Sequence, residues 1–156
     1  MGVTAGPARP VAIRHETKTD AAQSTGATNG TFIDISFPTN SFLEGSEYIE
    51  KPNSTDFRLV FAGIYRASFS VTTDPAANDT GWEGRAVLDG VAISHSRIQG
   101  SGRATTAENN TIEKSFTFRT TTANQIVKFQ AAPTEATATD VVPTYTSAEI
   151  ELISLT

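Results

Sequence analysis

The sequence predicts an all-β chain, an antiparallel jelly-roll sandwich of about eight to ten strands, and three observations carry that prediction. Residues 63–71 alternate polar and apolar side chains without a break. A period of two sends Tyr65, Ala67, Phe69 and Val71 to one side of a sheet and Arg66, Ser68 and Ser70 to the other. Turn-forming Gly, Asp, Asn and Pro then recur at intervals of roughly ten residues, the spacing of short sandwich strands. No stretch carries helical periodicity.

The elements follow in chain order. Residues 1–10, rich in Gly, Ala and Pro, read as a flexible N-terminal arm, and residues 11–156 as one domain. Residues 11–15 form a first strand candidate. Residues 18–30 are small and polar and read as a loop. Residues 31–37 alternate weakly and stop at Pro38, and Phe42, Leu43, Tyr48 and Ile49 fall in an irregular stretch. Residues 57–61 form a short strand that Ala62-Gly63 turns into the long one ending near Thr73. Residues 74–81 read as a loop. Residues 82–88 lead into Asp89-Gly90, a strong two-residue hairpin signal, and 91–93 return. Residues 99–110 read as a polar loop. Residues 111–120 alternate again, Asn124-Gln125 turns them into 126–130, and 131–144 read as a further loop. The last strand, 148–155, puts Ala148, Ile150 and Leu152 on one face.

Composition narrows the function classes. A chain of 156 residues can bury a continuous core without staples. Twelve Lys and Arg against 17 Asp and Glu give a net charge of −5, which argues against general nucleic-acid binding. There is no cysteine, which excludes disulfides and thiolate metal sites. The only methionine is Met1, so the chain is expected to begin at its natural start. The segment after it lacks the apolar core of a signal peptide, and Gly6 stands where a myristoylation signal needs Ser or Thr. No stretch approaches the roughly 20 apolar residues of a membrane helix. A soluble product of a cytoplasm is expected, without nucleic acid or membrane partners. Four sequons begin at Asn29, Asn53, Asn78 and Asn109, and in a Thr-rich chain they read as products of composition.

Candidate chemistry is sparse. His15 and His95 are the only histidines, and neither has metal-ligand spacing. A Ser-His-Asp triad leaves no sequence spacing to find, but no Gly-x-Ser-x-Gly elbow is present. Gly100-Ser-Gly102 is too short for a phosphate cradle. Glu44, Glu47, Glu50, Glu108 and Glu113 read as solvated side chains rather than a glycosidase pair. Asp20, Asp74, Asp79 and Asp140 form no calcium-loop run. Trp82 reads as a core residue at a strand start, with a sugar-stacking platform as the other reading. No catalytic, cofactor or metal residue is therefore assigned.

Gly63, Tyr65, Ala67, Phe69 and Val71 match a Gly-x-Tyr-x-Phe-x-Phe-x-Val strand, with Ala67 in place of an aromatic. With the Asp89-Gly90 strand pair, residues 115–119 and 126–129, and a C-terminal last strand, the chain resembles the tumour necrosis factor and complement globular-head jelly rolls. The likeness spans about two thirds of the chain, by pattern. It implies a homotrimer built on the sheet that holds the long strand, the C-terminal strand and the strand after the late turn. By alternation the trimer-facing row would be Ile64, Arg66, Ser68, Lys128, Gln130, Glu149, Glu151 and Ile153, with Arg66 pairing Glu149 or Glu151 and the ladder extending to Lys128. Without stalk, signal or cysteines, the chain is similar to bacteriophage virion jelly rolls. The resemblance implies a trimeric capsid decoration protein whose partner is the major capsid protein of a viral shell, located on the virion. A receptor-binding fibre or tail knob and a carbohydrate-binding module are the other readings.

Overall fold

The computed structural model describes residues 12–75, 80–102, 110–143 and 145–156. The proposed arm, Asn78, Asp79, Glu108 and Asn109 lie outside the described residues. Two antiparallel sheets face each other. The first contains β1 (Ile13–Thr17), β2 (Gln23–Ser24), β4 (Thr39–Glu44), β7 (Gly63–Pro75), β11 (Asn110–Thr120), β13 (Thr139–Val141) and β14 (Ser147–Leu155). The second contains β3 (Ile33–Asp34), β5 (Ile49–Glu50), β6 (Phe57–Leu59), β8 (Thr80–Leu88), β9 (Val91–Ala92), β10 (Ile98–Gly102) and β12 (Gln125–Pro133). One 3-10 turn, Ser94–Ser96, joins β9 to β10.

The long strand β7 organises the first sheet. It pairs with β11 from Gly63 to Thr73, and on its other side with β14 and then β13. Beyond β14 come β1 and the edge strand β4. The alternation of β7 does what the sequence predicts, since Tyr65, Ala67, Phe69 and Val71 are all buried. Ala148, Ile150 and Leu152 lie directly opposite Phe69, Ala67 and Tyr65 and extend the dry face. From the second sheet, Phe57, Trp82, Ala86, Val127 and Phe129 meet them. Phe129 is the junction of the aromatic cluster, with ring centroids 5.1 Å from Phe69, 5.6 Å from Phe57 and 6.1 Å from Phe37.

Several expectations change. Among the described residues there are fourteen strand segments where eight to ten are predicted, because six of them are only two or three residues long. Ladder partners hold these short pieces extended where their own sequence is too polar to announce a strand. The loop predicted at 99–110 begins as β10, paired with β8, and the loop at 131–144 contains the end of β12 and all of β13. The irregular 42–49 stretch holds part of β4 and the start of β5, and β2 lies within the 18–30 loop. Asn124 does turn the chain, at φ 61, but β11 and β12 belong to different sheets, so the turn crosses the sandwich instead of closing a hairpin. At Asp89-Gly90 both φ angles are positive, 48 and 81, and Leu88 pairs Val91, as a type I′ hairpin requires.

One side of the sandwich is closed by charge. Arg14 and Glu16 stand opposite Ile150 and Ala148, on the inner face of β1, and both are buried. Arg14 Nε donates to Glu16 Oε1 at 2.6 Å, and its Nη1 reaches across to the Ile49 carbonyl at 3.3 Å. Lys51 Nζ lies 3.5 Å from the other Glu16 oxygen. These contacts tie β1 of the first sheet to β5 and the residue after it, at the edge of the second.

Candidate interaction face

The outward face of the first sheet is the candidate site, because alternation turns it away from the shared core. Ile64, Arg66, Ser68 and Ser70 project from β7, and their cross-strand neighbours share that face. These are Ser147, Glu149 and Glu151 on β14, Glu113, Ser115, Thr117 and Arg119 on β11, and Ile13 and His15 on β1. Arg66 lies opposite Glu151 and donates to its carboxylate, one of the two partners, Glu149 or Glu151, that the resemblance implies. His15 lies opposite Glu149, with Nδ1 3.5 Å from the carboxylate.

Three of the predicted residues do not keep their places. Lys128 and Gln130 belong to β12, in the second sheet, and so face away from Arg66 and Glu149. The reason is the crossing turn at Asn124, which moves the chain to the other sheet between β11 and β12. The strand that flanks β7 is β11, and its Ser115 and Thr117 occupy the row assigned to Lys128 and Gln130. Ile153 falls in a β-bulge between Leu152 and Ser154, so Ser154 takes the position opposite Ile64. Ile64, Arg66, Ser68, Glu149 and Glu151 remain on the one face.

Short hydroxyl side chains pave the middle of this surface. Ser68, Ser70, Ser115 and Ser147 line a shallow depression of about 450 Å³, bordered by His15, Arg66, Glu113 and Glu149. It continues into a second one of about 590 Å³ beside Thr17, Thr111 and Tyr145. Tyr145 is 76% exposed and holds φ 59, a backbone conformation that costs a bulky residue energy. Ser70 Oγ donates to its carbonyl oxygen, which helps to hold the turn. Tyr145 has no signature in the sequence, since neither burial pattern nor turn preference marks a tyrosine in a polar loop.

The outward face of the second sheet is different. Lys128 Nζ donates to Asp34 at 2.8 Å and lies 3.2 Å from Asp56, and Gln130 donates to Asp34 at 2.7 Å. The hydrogen bond to Asp34 raises the Lys128 pKa above the ordinary lysine value. Burial pushes the Asp56 carboxyl up, but hydrogen bonds from Asn53, Thr55 and Lys128 outweigh it and hold the pKa low. Arg85 stacks on Phe32 at 3.5 Å and donates to Gln130 at 2.9 Å. This face satisfies its charges internally.

The remaining candidates are dispersed. His95 Nε2 sits 2.7 Å from the Thr117 carbonyl with its ring against Phe116, away from the His15 pair. Glu50 pairs with Arg58. Among the described residues no three His, Asp or Glu side chains gather as a metal site would require. Trp82 is fully buried, which supports its core reading over a sugar platform.

No protein-family model matches the sequence, and no curated protein matches it. Solved structures do share its fold. Murine APRIL at pH 5.0 superposes with a TM-score of 0.64 at 12% identity, over 92% of this chain and 99% of that one. The Eiger tumour necrosis factor of S. frugiperda gives 0.62 at 8% identity, covering 95% and 96%. Pika GITRL gives 0.53 at 12% identity, covering 93% and 97%. The chain has a tumour necrosis factor-like jelly-roll fold.

Proposed function

We propose that the chain is a non-enzymatic structural module that assembles as a homotrimer through the outward face of the β7 sheet and decorates a bacteriophage capsid. The observation that carries the self-association is the contrast between the two faces. One is closed over by its own ion pairs, whereas the other offers a floor of serines low enough for a neighbouring sheet edge to approach. Arg66 and Glu151 border that floor as a complementary pair, and an exposed tyrosine of the Tyr145 type is a common interface anchor. The virion role rests on the resemblance together with a thiol-free chain, whose stability outside a reducing cell must come from packing and assembly. Three linked contacts to a shell would raise the effective affinity without a strong single contact.

Sedimentation equilibrium at micromolar concentration tests the assembly. A trimer is expected, and Ser68→Arg, which fills the depression without touching the core, should dissociate it. A monomeric wild-type protein overturns the reading. Mixing the trimer with undecorated phage capsids tests the role: ordered density at symmetry axes is expected, and a trimer that leaves every shell bare would refute decoration while sparing self-association.

A further inference from the structure

We propose that Phe42, on the edge strand β4, fills the serine floor of the next copy of this chain, with Glu44 beside it meeting that copy's Arg66. The inference rests on self-association through the outward face of the first sheet and names the contact that makes it. The ladder registers lay two neighbouring rows across that face. One runs Phe42, His15, Glu149, Ser68, Ser115 from β4 to β11. The other runs Glu44, Ile13, Glu151, Arg66, Thr117. The first row begins on an aromatic ring and ends on the serine floor, a depression of about 450 Å³. The second begins on a carboxylate and reaches a guanidinium.

An exposed apolar side chain alone carries nothing, since such residues are common on protein surfaces. Its row is what gives Phe42 a partner. The ring is 52% exposed, and β4 pairs with β1 alone among the described residues. Within one copy Phe42 cannot reach Ser68, because three strand spacings, roughly 14 Å, separate them. A symmetry axis parallel to the strands keeps every row at its own height, so the rim of a row in one copy meets the middle of the same row in the next. Phe42 then arrives over Ser68 and Glu44 over Arg66, in the same order and with the same two-residue spacing. The charges are complementary. Glu44 is exposed and makes no ion pair among the described residues. Arg66 is 54% exposed, and its guanidinium has five donors, of which Glu151 takes one. Each copy gives one ring and receives one, the head-to-tail contact that a trimer requires.

The test exploits a chain without cysteine. The double variant Phe42→Cys, Ser68→Cys is oxidised at micromolar concentration and run on a non-reducing denaturing gel, beside each single variant. Covalently closed trimers are expected from the double variant and unlinked chains from the singles, because the two positions are too far apart to bridge within one copy. In sedimentation, Phe42→Ala should raise the trimer dissociation constant by roughly tenfold or more, and Glu44→Ala by less. A wild-type trimer whose double variant stays unlinked overturns the pairing and spares self-association. So does a trimer that Phe42→Ala leaves unchanged, or one that Ser68→Cys alone links, which would put floor against floor. A wild-type monomer overturns the pairing together with the self-association on which it rests.

Discussion

Phe69→Ala tests whether the β7 sheet and the second sheet share one core. Phe69 is 2% exposed at the centre of β7, with Ala148 opposite it on β14 and Lys114 on β11. Its ring packs tilted on Phe129 at 5.1 Å and edge-on to Phe116 at 6.3 Å, so it bridges the two sheets. Losing the transfer free energy of a buried phenyl costs about 1.5–3 kcal/mol. The cavity left between ladders that cannot collapse brings the total to about 3–5 kcal/mol. Against a stability of roughly 5–15 kcal/mol for a domain, that is a large fraction. Guanidinium unfolding followed by intrinsic fluorescence is the assay, and the m-value should stay constant while the midpoint falls. Protein concentration must be matched, because assembly would add to apparent stability. A loss below about 1.5 kcal/mol would refute the placement of Phe69 as a bridge.

Two further outcomes follow from local geometry. A Cβ at Gly100 would lie 2.7 Å from both the Trp82 indole nitrogen and the Ile112 side chain, so Gly100→Ala should destabilise by about 1–3 kcal/mol, measured by the same unfolding. Unchanged stability would show that β10 does not pack on Trp82 as described. Burial pushes the Tyr65 phenol up to about 12, while an unfolded tyrosine ionises near 10. The native state therefore favours the neutral phenol, and its stabilisation, complete below about 10, is lost as pH rises from there through about 12. Ultraviolet titration should show one of the three tyrosines ionising late in native protein and in step with the others in denaturant.

The parts of the fold legible in the sequence are those where local pattern and tertiary demand agree. In β7 and β14 strict alternation identified the core face residue by residue, and Asp89-Gly90 named its own turn because positive φ at two successive positions favours those residues. The rest depended on partners. β10 includes two glycines, which read as loop, yet Gly100 is there because the Trp82 ring leaves no space for a side chain. Sheet membership was the larger failure. A two-strand pattern around a turn looks alike whether the chain folds back within a sheet or crosses to the facing one, so alternation places Lys128 and Gln130 on the wrong surface. The buried Arg14 and Glu16 left no trace either, since a charged residue in an alternating strand reads as facing water.

The same ambiguity explains why the two outer faces differ in kind. Each sheet spends one side of its strands on the shared core, and the composition of the other side decides what it can do. On the second sheet, Asp34, Lys128, Gln130 and Arg85 are long enough to reach one another, and every contact they make within the chain reduces what they could offer outside it. On the first sheet the central residues are serines, too short to satisfy each other across the strand spacing except where Ser70 and Ser147 meet at 3.3 Å. Their hydroxyls, and the ladder beneath them, are accessible to whatever sits above. The charges there stand at the border, with Arg66 and Glu151 on one flank and His15 and Glu149 on another. A border of that kind orients an approaching copy while exposed pairs add only about 0–1 kcal/mol each, so the binding energy has to come from filling the serine floor. That is why a bulky side chain at Ser68, rather than loss of the Arg66 charge, is the decisive perturbation of the face.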